Sequence, residues 1–201
     1  MAMKKGNSFR SRYNIPGILC RIILAAIGWK TSSISQLRPK FVLIGAPHTS
    51  NWDFVLGYLA MTAIGLRLHW VGKHTLFRPP IGWFLKWMGG IPVNRGIRRN
   101  FVDQVIRSFR DCDQLIVAIA PEGTRKKTDR WKSGFYYIAR GAQVPLVLGF
   151  VDYAQKSAGI GKIVEVTGDM EKDLEEMREF YIKVVPRHPE KFGEIRIING
   201  K

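Results

Sequence analysis

Cysteine is nearly absent. The 201 residues hold two, Cys20 and Cys112, separated by 92 positions. They make neither a CxxC pair nor a dense framework, which excludes a disulfide-stapled scaffold and a cysteine-based zinc site and fits a reducing compartment. Long apolar runs are missing too. The best candidate, Ile15 to Trp29 (IPGILCRIILAAIGW), has 15 residues with Arg21 in its middle, whereas a spanning helix needs about 20 mostly apolar residues. The same arginine, and the lack of a small-x-small cleavage site after the run, speak against a secretory signal. Acidic residues are scarce: 16 Asp and Glu face 32 Lys and Arg, a net charge of +16. That excess calls for an anionic partner. No GxxxxGK[ST] or GxGxxG follows a strand, so both nucleotide-binding fingerprints are lacking. His69, His74 and His188 show no metal-ligand spacing with one another or with cysteine, and oxygen-rich calcium loops are absent, so no metal is expected. Repeats and low-complexity tracts are also missing.

What is present describes one folded domain. The chain is 46% hydrophobic and 11% aromatic with 24% charged residues, enough apolar material for a single core. Residues 1–32 read as a basic N-terminal segment whose apolar stretch forms either a core-packing helix or a short amphipathic helix lying in a membrane interface. Residues 33–201 read as the main domain. Within it FVLIGA (41–46), LIVAIA (115–120) and PLVLGFV (145–151) are continuous apolar runs, as expected of strands buried on both faces. HWVG (69–72), IPV (91–93) and KIVEV (162–166) are further strands, and EIRIING (194–200) is a closing segment. Helices are expected at 54–64, 80–88, 98–110, from 133, and over the acidic stretch 171–181. Alternation of this kind gives an α/β fold, a largely parallel or mixed sheet flanked by helices. In such folds ligands gather beyond the carboxyl ends of the strands, and the turns PHTSNWD (47–53) and PEGTR (121–125) both fall there.

Each turn carries residues suited to chemistry. His48 and Asp53 are five apart, about 140° around one continuous helix, too far to touch, so they must straddle the turn. With Ser50 capping the helix, Asp53 falls in its first turn and His48 in the loop before it. An aspartate accepting from one ring nitrogen raises basicity at the other and makes the histidine a general base. Ser50 and Asp53 equally fit a capping box that serves the helix alone. In PEGTRKK, Glu122, Gly123 and Thr124 precede Arg125, Lys126 and Lys127, a turn whose backbone and arginine suit a phosphate, or simply a solvated basic turn. Arg95 follows a short strand, and the apolar Phe77, Ile81, Trp83, Phe84, Trp87 and Met88 form either a core stripe or a groove for an acyl chain or lipid. The charge alone also suits a nucleic-acid-binding module. The basic residues, however, are scattered among turns without a recognised motif, and no nucleic acid partner is expected.

In their order, these segments resemble four blocks of the glycerolipid acyltransferase family, the 1-acyl-sn-glycerol-3-phosphate acyltransferases and their relatives. His48, Ser50 and Asp53 in PHTSNWD resemble the NHxSxxD block, with Pro47 in place of the usual Asn. Gly90 and Arg95 in GGIPVNR resemble the second block, Glu122, Gly123, Thr124 and Arg125 the third, and VPLVLG around Pro145 the fourth. The likeness covers residues 41–151. It implies an acyltransferase catalytic domain over 33–201 that moves a fatty acyl group from acyl-CoA or acyl carrier protein to the hydroxyl of a lysophospholipid, with no other cofactor. Catalysis would fall to His48 as general base and Asp53 as its orienter. Arg95, Glu122, Gly123, Thr124 and Arg125 would receive the acceptor phosphate. The expected location is the cytoplasmic face of an anionic membrane, peripheral or monotopic. A different lyso-lipid or alcohol acceptor, or a lipid-binding member without catalysis, stay open as alternatives.

Overall fold

The computed structural model describes residues 14–93 and 98–197. Helix α1 (Ile15–Ala26) starts at Asn14, whose side chain accepts from the Gly17 N–H, with Pro16 in the first turn, where a missing N–H costs nothing. Strand β1 (Lys30–Ser32) leads to β2 (Lys40–Gly45) and α2 (Asn51–Ala63). Then follow β3 (His69–Lys73), α3 (Ile81–Trp87) and β4 (Gly90–Val93), and after them α4 (Arg98–Asp111), β5 (Leu115–Ile119) and α5 (Gly134–Ala142). A hairpin of β6 (Leu146–Asp152) and β7 (Ser157–Val164) precedes α6 (Met170–Tyr181).

The strands form one seven-stranded mixed sheet in the order β1-β7-β6-β2-β5-β3-β4. From β6 across to β4 every neighbouring pair is parallel, while β7 runs antiparallel to β6. Side chains alternate across the pleat. Phe41 and Leu43 of β2 join a core with Leu56, Ala60 and Met61 of α2 and Leu24 of α1. Val42 and Ile44 point the other way, into a larger core with Val105 and Phe109 of α4, Phe135 and Ile138 of α5, and Leu174 and Met177 of α6. Both faces of the central strands are thus covered, which is why they read as unbroken apolar runs.

One strand starts earlier than expected. Strand β7 begins at Ser157, five residues before the expected KIVEV, because its first half, SAGIG, is too small to signal burial yet packs tightly in the sheet. At Gly159 a side chain would meet the Ser32 carbonyl oxygen at 1.9 Å, so only glycine lets β1 lie alongside. In the closing segment from Glu194, Ile195 is buried and Ile197 makes a single bridge to Trp131, while 198–201 lie outside the described residues. The apolar stripe around α3 also divides. Phe77 is buried and stacks on Trp70 with 5.6 Å between centroids, whereas Ile81, Trp83, Phe84 and Trp87 are exposed. Similarly, α1 buries only Gly17 and Leu24 and turns Ile15, Leu19, Ile22 and Ile27 outward. Among the described residues, no helix is long and apolar enough to cross a membrane.

Candidate active site

Because β2, β5 and β6 are parallel, their carboxyl ends open on one edge of the sheet, and the chain leaving each contributes to a single cluster. From β2 come Pro47, His48 and Thr49, then α2. Ser50 is the N-cap, its Oγ accepting from the Trp52 N–H at 3.2 Å. Asp53, in the first turn, completes a capping box: its Oδ2 accepts from the N–H groups of Thr49 at 2.6 Å and Ser50 at 2.7 Å. The same Oδ2 lies 3.7 Å from His48 Nδ1. The two readings of the turn are therefore one structure, in which the cap holds a carboxylate against the imidazole.

The surroundings of His48 favour its neutral form. Burial lowers its pKa from the ordinary 6.5, the Asp53 carboxylate works in the opposite direction, and the Arg125 cation adds to the lowering. A half-buried imidazole that favours its uncharged form and is backed by a carboxylate has the form of a general base.

The turn after β5 divides its residues between two tasks. Glu122 is buried, and its Oε1 accepts the His48 backbone N–H at 2.9 Å. Its Oε2 is buried without a hydrogen-bond partner, and burial raises the carboxyl pKa to about 7. The Glu122 carboxyl is thus tied to the backbone of the His48 turn and largely shut off from solvent. Gly123 takes φ of +60°, which favours glycine, and its α-carbon sits under the Lys132 side chain. Thr124 Oγ1 accepts from the Lys126 N–H at 3.1 Å and so shapes the turn. Arg125 is exposed and donates to Asn51 Oδ1 at the start of α2, which brings its guanidinium to the His48 side of the cluster. Arg95 lies outside the described residues, two positions past β4. Among the described residues, no group of three His, Cys, Asp or Glu is placed to hold a metal ion.

Four participants escaped the sequence reading. The Tyr153 hydroxyl, just past β6, donates to Asp53 Oδ1 at 2.8 Å. The chain after α6 runs over the same edge. The Tyr153 N–H donates to the Val185 carbonyl at 2.9 Å, the His188 N–H to Thr49 Oγ1 at 3.3 Å, and the Arg187 guanidinium lies 5.9 Å from the Trp52 ring centre. For Tyr153 a signal existed, since a residue just beyond a strand read at 145–151 belongs at the ligand edge. For Val185, Arg187 and His188 none did.

The ligand edge of the sheet thus brings together a histidine, a carboxylate and an arginine. The chain belongs to the Acyltransferase family, whose model matches residues 31–148. The resemblance to glycerolipid acyltransferases carried by the four sequence blocks therefore holds. It is similar to the chloroplastic 1-acyl-sn-glycerol-3-phosphate acyltransferase BAT2 of Brassica napus, 32% identical over 109 residues that cover 50% of this chain. The match spans 30% of that relative's length. The fold is that of the 1-acyl-sn-glycerophosphate (LPA) acyltransferase PlsC from Thermotoga maritima, with a TM-score of 0.55 at 17% identity over 84% of this chain and 75% of that one.

Proposed function

We propose that the protein transfers a fatty acyl group from a thioester, acyl-CoA or acyl carrier protein, to the free hydroxyl of 1-acylglycerol-3-phosphate, giving phosphatidic acid. The observation that carries this reading is the contact of His48 Nδ1 with Asp53 Oδ2 at 3.7 Å, beside Arg125, on the ligand edge of the sheet. With Nδ1 turned to the carboxylate, Nε2 takes the proton of the acceptor hydroxyl as its oxygen attacks the thioester carbonyl carbon. Asp53 stabilises the imidazolium so formed. Collapse of the tetrahedral intermediate breaks the carbon–sulfur bond, and the imidazolium returns the proton to the departing thiolate. Arg125, and Arg95 by its block position, hold the acceptor phosphate in charge-assisted bonds. The turn residues Gly123 and Thr124 let the backbone approach it.

The enzyme works on an anionic membrane at its cytoplasmic face, as a peripheral or monotopic protein. Exposed Ile15, Ile22 and Ile27 of α1 and exposed Trp83 and Trp87 of α3 support this, together with the charge of +16. Apolar side chains that dip below headgroups and cations that meet them are the two ingredients of interfacial binding. The test is thiol release from acyl-CoA and acyl carrier protein donors, with lysophosphatidic acid or non-phosphorylated lyso-lipids as acceptors. Release should require both lysophosphatidic acid and His48, and His48→Ala should lower it by about three orders of magnitude or more while the fold survives. Turnover retained in a folded His48→Ala enzyme refutes the base assignment. Release with another lyso-lipid alone replaces the acceptor.

A further inference from the structure

Asp53 is held from two sides. Its Oδ2 takes the Thr49 and Ser50 N–H groups and faces His48, and its Oδ1 takes the Tyr153 hydroxyl at 2.8 Å. The backbone bonds restrain one oxygen, and a carboxylate held at one oxygen can still swing. The tyrosine bond at the other oxygen fixes its plane.

Tyr153 is fixed in turn. Its ring meets Trp29 edge-on with 5.2 Å between centroids, its N–H is bonded to Val185, and the Arg187 cation acts on its hydroxyl electrostatically. The phenol proton goes to the carboxylate, so directed contacts run from Tyr153 through Asp53 toward His48. Each donor along such a chain strengthens the next.

We propose that Tyr153 is a positioning residue for acyl transfer: through Asp53 it sets both the orientation of the carboxylate behind His48 and the share of its charge that the imidazole feels. This rests on the general-base reading of His48. The other charged or titratable groups facing the pair are Arg125, Glu122 beneath the His48 backbone, and Arg187 beside the phenol.

The test variant is Tyr153→Phe, which keeps the ring against Trp29 and deletes the bond to Asp53. With one fewer donor, the carboxylate presents more of its charge to the imidazole and favours the imidazolium. The His48 ring titration, followed by NMR of the free enzyme, should move to higher pH by about half a unit. The acid limb of kcat should move with it. With the carboxylate freed to swing, kcat at the plateau should fall roughly 10-fold, the scale of one hydrogen bond to a charged group, with both KM values within about twofold. In an Asp53→Asn background, Tyr153→Phe should no longer shift the titration, because its effect passes through that carboxylate. A Tyr153→Phe enzyme with unmoved titration and unchanged kcat overturns the proposal. So does a variant that loses melting temperature and raises both KM values while the titration stays put, since that is a packing role. If the wild type transfers no acyl group to any acceptor, the functional reading fails while the NMR titration still decides the coupling.

Discussion

Replacing Glu122 with glutamine should reverse sign between acid and alkaline pH. The wild-type carboxyl has an ordinary pKa of 4.5 and is raised to about 7 in the folded chain, chiefly by burial. It holds its proton more tightly folded than unfolded, so its contribution to stability is fully present below 4.5 and is lost as pH climbs through about 7. At about 1.4 kcal/mol per pH unit, that window amounts to roughly 3 kcal/mol. Glutamine cannot ionise. Its carbonyl can still accept the His48 N–H, but its amide nitrogen takes the place of the unpartnered Oε2, at a cost of about 1 kcal/mol. At pH 5 the variant should therefore be slightly less stable than wild type. At pH 8.5 it should be about 2 kcal/mol more stable, raising Tm by roughly 4–8 °C for a chain of this size. Urea unfolding at the two pH values, with the difference between variant and wild type as the readout, isolates this one group from every other that titrates. A difference of the same sign and size at both pH values would refute the reasoning, because it would mean that the carboxyl is already ionised at pH 5 in the folded protein.

Two further outcomes bear on substrate and surface. Arg125→Gln should raise KM for a phosphorylated acceptor about 10-fold or more while donor KM changes less than about twofold; equal effects on the two substrates would remove Arg125 from the phosphate site. The double variant Trp83→Ser/Trp87→Ser removes two side chains that are 69% and 77% exposed. It should leave Tm nearly unchanged and lower sedimentation with anionic vesicles about 10-fold at moderate salt. Unchanged sedimentation would assign membrane contact elsewhere.

Much of the site was legible because local chemistry dictates it. A strand of the type FVLIGA buried on both faces has to end in a turn at the ligand edge, and the Ser50 to Asp53 spacing fixes where α2 begins. Once α2 begins there, His48 and Asp53 face each other across the cap. The burial of Glu122 was not legible, since nothing in PEGTR distinguishes a carboxyl turned inward under His48 from one turned outward toward a phosphate. Strands β1 and β7 were missed, β7 in its first half, for a related reason. Lys30 to Ser32 and SAGIG carry little apolar signal, and their pairing comes from the register of the neighbouring strand. The contributions of Val185, Arg187 and His188 depend on where the chain returns after α6, a tertiary fact with no local signature.

That return has a consequence for how the protein becomes active. The bond from His188 to Thr49 joins residues 139 positions apart, and the one from Tyr153 to Asp53 joins residues 100 apart. Contacts of such sequence separation close the largest loops and belong late in folding. Strands and helices can assemble around β2 with the catalytic turn already shaped, yet Tyr153 reaches its final setting only when the stretch past α6 settles beside it. A chain that stops short of that stretch carries His48 and Asp53 without the long-range bonds that hold Tyr153 and Thr49 in place.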